Sequence, residues 1–236
     1  MTGEQVAVGS RRTGLTAQPA AIGIRLVAAA VALLVVLVGT GELLAHPLRH
    51  SVLVRWDGSV DRWFVQQRTA TWNAVTKVAT YGAETITVIA LGLVFFVLLR
   101  IRLRRWRESM FLGLSILGEV SIFLGTTLLV ERHRPSVPRL DSAPPTSSFP
   151  SGHTAASVAL YGSLAVIAWR VSAAAWVRVL ATALAVLMPL AVGLSRLYRG
   201  MHNPTDVVAG ALLSVCWLTV TSVLLLRGPR PDRAAR

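Results

Sequence analysis

One cysteine and one lysine stand among 236 residues, and only 11 residues are acidic. The lone cysteine, Cys216, can form no internal disulfide and no zinc cluster, which removes disulfide-stapled and zinc-stabilised scaffolds. It lies inside an apolar run and reads as a helix-packing residue. Lys77 is the single lysine, so almost all of the 24 basic residues are arginine. Charge as a whole is scarce. Charged residues make up 15% of the chain and hydrophobic ones 53%, where a soluble domain carries about 25% charged residues. Much of the surface must therefore face something other than water. A Walker-type glycine-rich loop is missing, and no internal repeat is evident, which argues against nucleotide-phosphate cradles and solenoids.

What charge there is has a pattern. The formal net charge is +13, and the arginines cluster between apolar runs. The densest cluster, RIRLRRWR, holds Arg100, Arg102, Arg104, Arg105 and Arg107. Such clusters suit anionic headgroups and membrane orientation better than nucleic acid, and no nucleic-acid partner is expected. A hydrocarbon core about 30 Å thick takes about 20 apolar residues in a helix. Six stretches meet this, at about 21–44, 83–99, 108–130, 153–169, 176–194 and 206–226. The fold expected is all-α, a single integral membrane bundle of six transmembrane helices, with the lipid bilayer as its surroundings. Residues 1–20 read as a disordered cytoplasmic N-terminus and residues 227–236 as a cytoplasmic tail. The first apolar run lacks a small-residue cleavage site and reads as an anchor. Arg11 and Arg12, the 100–107 cluster, Arg170 with Arg178, and the tail arginines all fall on one side of a six-span layout. The positive-inside rule assigns that side to the cytoplasm, with both termini inside. Between the first two spans, residues of about 48–80 carry Trp56, Trp63 and Trp72 among polar residues. They read as helices lying at the outer interface.

The residues with chemical character gather in two outer loops. In Pro150-Ser151-Gly152-His153, Ser151 is placed to cap a helix that His153 opens. Gly152 allows the free N–H groups of that helix end to approach an anion closely. The plain alternative is an N-cap and a turn. In the segment from Ser195-Arg196 to His202 and Asp206, Asn203 and Pro204 suit a helix start. Asp206 then lies in the first turn, able to reach back to the ring of His202 and fix its tautomer. The plain alternative is capping beside a surface histidine. Arg134, before Pro135, and Arg196 offer planar forks that match phosphate oxygens. Alone, each would pass for an interfacial arginine. Together, two histidines, two arginines, a helix N-terminus and an orienting carboxylate are a set for phosphate chemistry. The acids of these loops, Glu131, Asp141 and Asp206, are too few and scattered for a two-metal site. Neither metal nor cofactor is expected.

These three segments resemble the signature of the type-2 phosphatidic acid phosphatase superfamily. That signature is Lys-x6-Arg-Pro, then Pro-Ser-Gly-His, then Ser-Arg-x5-His-x3-Asp, and the resemblance runs over about residues 119–210. It implies a membrane lipid phosphatase in the cell envelope, working through a phosphohistidine. His202 would be the nucleophile, Asp206 its orienting partner and His153 the acid and then the base. Arg134, Arg196, Ser151 and the Gly152 N–H would bind the phosphoryl oxygens. The chain departs from the signature at one position, because Thr127 stands where the lysine should be. Arg132, at the end of the same span, is the expected stand-in. The expected substrate is a lipid phosphate or diphosphate, with a polyprenyl diphosphate favoured and phosphatidate or phosphatidylglycerophosphate next. The competing readings are a lipid phosphotransferase on the same fold and a non-catalytic lipid-phosphate-binding membrane protein. Glu119 sits mid-span, where an ionisable group is costly and faces the bundle interior. It reads either as a partner for a buried polar group or as a hydrogen-bonded packing residue.

Overall fold

The computed structural model describes residues 13–104, 106–172 and 174–226, with side chains from residue 20 onward. The described residues form eight helices and no strand. In chain order they are α1 (Thr13–Ala45), α2 (Val52–Gln66), α3 (Ala70–Tyr81), α4 (Thr85–Leu103), α5 (Arg107–Leu129), α6 (Gly152–Val171), α7 (Ala175–Tyr198) and α8 (Pro204–Leu225). Six of them, all but α2 and α3, are long and apolar enough to cross a bilayer. They fall on the six expected stretches, although α1 starts at Thr13, inside the segment read as disordered. The readings made for residues 1–12 and 227–236 lie outside the described residues.

Helix α6 is the most buried span. Its sequence, GHTAASVALYGSLAVIAWRV, is rich in Ala, Ser and Gly, and small side chains let neighbouring backbones approach without cost. Helices α5, α7 and α8 pack around it. Hydroxyls that would be orphaned in lipid turn inward. Ser214 on α8 donates to the Ala155 carbonyl at 2.7 Å, and Ser115 and Thr221 pair at 3.1 Å. The Trp217 indole reaches the Leu114 carbonyl at 3.1 Å. On the outside, large apolar residues such as Val27, Ile86, Leu128 and Trp176 are exposed, as lipid-facing positions require. Cys216 is also exposed, so it does not pack between helices. One residue of shift around α8 separates it from the buried Trp217.

Two helices occupy the stretch between α1 and α4. Ser51 accepts from the Val54 N–H at 3.3 Å and starts α2, and Thr69 accepts from the Trp72 N–H at 3.2 Å and starts α3. Helix α2 is strongly amphipathic, with Trp56 and Trp63 exposed and Asp57 and Asp61 buried. Its acidic side faces the protein because one end of the bundle is itself charged. That end gathers the C-termini of α5 and α7, the N-termini of α6 and α8, and the irregular 130–151 loop.

Candidate active site

Two local devices set up this end of the bundle. Helix α7 stops in a Schellman turn: the Met201 N–H bonds the Arg196 carbonyl at 3.0 Å, around Gly200 at φ 69°. Only glycine takes that backbone freely, and a side chain there would also meet the Pro138 carbonyl at 2.9 Å. The turn carries the chain back across the site to Asn203, where α8 begins. Helix α6 begins beside it. The start of α6 and the second turn of α8 are so close that a Cβ on Gly210 would lie 2.4 Å from the Ser151 carbonyl oxygen.

His202 is buried, and its Nδ1 lies 2.8 Å from the Ser148 carbonyl oxygen. A carbonyl can only accept, so Nδ1 carries the proton and Nε2 keeps its lone pair. Burial, then the charges of Arg196 and Arg134, hold the ring well below its ordinary pKa, so it is neutral. Asp206 does not hydrogen-bond His202, in contrast to the expected pairing. Its Oδ2 stays 3.9 Å from Nδ1. That oxygen is engaged by the Ser148 hydroxyl at 2.6 Å, the Asn203 N–H at 2.8 Å and the Asn203 amide at 3.1 Å. Asp206 therefore orients His202 through Ser148, whose carbonyl holds the ring while its hydroxyl holds the carboxylate.

The other oxygen of Asp206 accepts from Arg132. Arg132 also donates to Asp57 at 2.8 Å and to Thr205 Oγ1 at 2.7 Å. Asp57 in turn takes the Thr205 N–H at 3.1 Å and its hydroxyl at 2.6 Å. Arg132 is thus buried between two carboxylates and turned away from the histidines. It does not replace the missing lysine, because its charge is already spent. The Thr127 hydroxyl donates to the Leu124 carbonyl within its own helix, at 3.0 Å.

His153, His202, Arg134, Arg196 and Gly152 line one cavity of about 450 Å³. Arg134 is anchored by donating to the Met201 carbonyl at 2.8 Å, and its Nε has no partner among the described residues. The Arg196 Nε likewise has none among them, while one amino group reaches Asp141 at 3.3 Å. Asp141 is also gripped by Arg199 through contacts of 2.6 and 2.5 Å, and these hold its carboxyl below the usual range. Ser151 sits at the start of α6, but its hydroxyl pairs with Thr154 at 3.0 Å and does not line the cavity. That side chain does not make the expected cap. Ser195 donates to the Thr76 carbonyl at 2.6 Å and fastens α7 to α3.

The cavity continues from the charged end down between α4 and α5, past Val88, Ile116 and Val120. Its outer wall includes Ile89, Leu117 and Leu124, at 61%, 66% and 50% exposure, so the groove opens sideways toward lipid. A second cavity, of about 480 Å³, lies on the other side of Arg134. His46, Arg49, Arg62, Asp61 and His133 line it, and Arg134 borders both cavities.

Sequence reasoning missed Ser148, Asp57, Asp141 and Arg199. Ser148 offered no signal, since it acts through its backbone carbonyl as much as its hydroxyl. Asp57 did offer one: an acid on an amphipathic helix at a membrane surface, flanked by Val54 and Trp56, calls for a cation when it is buried.

The model of the PAP2 superfamily matches residues 110–230. The chain belongs to the PAP2 superfamily. It is 31% identical over 157 residues to the bacitracin transport permease protein BcrC of Bacillus licheniformis, spanning 64% of this chain and 72% of that protein. Among solved structures it is similar to a transmembrane PAP2-type phosphatidylglycerolphosphate phosphatase from Bacillus subtilis. The TM-score is 0.70 at 18% identity, over 90% of this chain and 98% of the other. Membership in the PAP2 superfamily, together with six spanning helices, makes this a multi-pass membrane protein of a phosphatase family.

Proposed function

We propose that this PAP2 protein hydrolyses a lipid phosphate or diphosphate at the outer face of a bacterial inner membrane, without a metal, through a phosphohistidine on His202. The observation that carries the reading is the state of that ring. His202 is neutral, with Nδ1–H held by the Ser148 carbonyl and Nε2 free beside two arginines and His153. In the first step, Nε2 attacks phosphorus, the P–N bond forms and the P–O bond to the lipid breaks. His153, as the acid, protonates the leaving oxygen. In the second step, His153 takes a proton from water, the water oxygen attacks phosphorus and His202 leaves. The free edges of Arg134 and Arg196 and the N–H groups at the start of α6 face the charge on the transferring group. Asp141 and Asp206 spend their oxygens on arginines, serines and amides, which supports metal-free catalysis.

The arginine asymmetry supports N- and C-termini in the cytoplasm and a site that faces outward. That side is where a polyprenyl diphosphate released during envelope assembly would be met, and this motivates the first substrate class. The phosphatidylglycerolphosphate named for the structural neighbour motivates the second. The test is phosphate release by the purified protein from a panel of lipid phosphates in the presence of a chelator, together with trapping of labelled phosphoenzyme. An acid-labile, base-stable adduct that is absent in His202→Ala is expected. Turnover with no adduct, or transfer to an added alcohol in preference to water, would replace this reading with direct hydrolysis or with phosphotransfer.

A further inference from the structure

Glu119 is 1% exposed, and neither of its carboxyl oxygens has a hydrogen-bond partner among the described residues. It nevertheless lines the same cavity as His153, His202, Arg134 and Arg196. Its neighbours in the deep part of that cavity, Val88, Ile116 and Val120, are apolar. Among the described residues no cation answers it there, so the group is carried as the neutral acid, with one O–H to give and one carbonyl to accept. An orphaned polar group in a groove shaped for a hydrocarbon chain is costly unless the ligand supplies its partner.

Its depth in the groove identifies that partner. The Phe123 ring packs under the start of α6, so close that a Cβ on Gly152 would meet it at 2.6 Å. Phe123 thus marks the level of the phosphate site. Glu119 lies one turn further in on the same helix, about 6 Å deeper. A glycerolipid phosphate carries its ester carbonyls, or a free hydroxyl in the lyso form, about that far from phosphorus. A polyprenyl phosphate has only hydrocarbon there.

We propose that Glu119 is a specificity-determining residue that hydrogen-bonds the polar linkage of the lipid, so that glycerolipid phosphates are preferred over polyprenyl ones. This rests on the reading of the cavity as a lipid phosphatase site and reverses the order of its two substrate classes.

The test compares kcat/KM of the full-length protein for diester phosphatidate, its diether analogue and farnesyl diphosphate, in wild type, Glu119→Gln and Glu119→Leu. Wild type is expected to favour the diester over the diether by about tenfold. Glu119→Leu should lose that preference, mainly through KM, and should lower kcat/KM for the diester by about tenfold more than for farnesyl diphosphate. Glu119→Gln, which keeps a donor and an acceptor, should retain part of it and guards against a folding artefact. Equal effects of Glu119→Leu on all three lipids, or none on any, would overturn the role of Glu119 while the phosphatase reading stands. A wild-type protein that releases phosphate from no lipid would overturn both.

Discussion

His202 and Asp206 share Ser148 as a common partner, the carbonyl of that serine taking the ring N–H at 2.8 Å and its hydroxyl meeting the carboxylate at 2.6 Å. The pair is therefore coupled through a residue whose backbone no substitution removes. His202→Ala should abolish turnover, because it removes the proposed nucleophile. Asp206→Asn should lower kcat by about 10²–10⁴-fold, as it strips the charge that fixes this arrangement. Ser148→Ala keeps the carbonyl and should cost only about tenfold or less. Steady-state rates that rank Ser148→Ala as the most damaging of the three would contradict the relay.

Arg132 should matter for folding more than for phosphate binding. Its side chain bridges Asp57 and Asp206 in a buried setting. Arg132→Ala would strand two carboxylates, at a cost of about 3–5 kcal/mol. Thermal unfolding in detergent should show a clear drop, partly relieved by adding Asp57→Asn. Thr127→Lys should not restore activity to the Arg132→Ala protein, since the two positions serve different ends. Full rescue by that lysine would return Arg132 to the phosphate site.

Asp61 gives the protein a pH-dependent stability. Burial, and then the neighbouring carboxylates Asp57 and Asp206, push its pKa from 3.8 to about 7. Between those values the folded protein holds a proton that the unfolded chain has released. This contribution to stability therefore falls as pH rises from about 4 to about 7, and is flat above. Asp61→Asn has no proton to lose. The variant should match wild type near pH 4 and exceed it at pH 8, by on the order of 1–4 kcal/mol. Unfolding curves at the two pH values that show equal differences would remove Asp61 from the account.

Asp141 should act on substrate binding. It ties Arg196 to Arg199 and so steadies the fork that faces the cavity. Asp141→Ala should raise KM by about tenfold with a smaller change in kcat, and Arg199→Ala should behave alike because it works through the same carboxylate. If kcat alone falls, Asp141 has another role.

Topology is open to a direct check. A periplasmic phosphatase reporter fused after Arg236 should be silent, and one inserted in the 142–146 loop should be active. The reverse pattern would turn the site to the cytoplasm.

The spans were legible because apolar length is a local property, and each expected stretch holds one spanning helix. The convergence of His153 and His202 was legible because motif spacing put both at helix starts. The support around them was not. Arg132 and Asp57 are 75 residues apart, and nothing local in either segment names the other. The ring partner of His202 is a main-chain oxygen, which no residue type encodes. The direction of the Arg132 side chain was misread for the same reason: reach along a span says nothing about which carboxylates wait at its end.

Arg134 borders both the lipid-facing groove and the polar cavity beside α2. One guanidinium thus stands where an oily compartment meets an aqueous one. The two products of hydrolysis have opposite solubilities, so they can depart by opposite doors, the alcohol sideways into the bilayer and the anion into water. Two kinds of inhibitor follow, an amphiphile that plugs the side entrance and a small tailless oxyanion that arrives from solvent, and they would compete with each other only at this arginine.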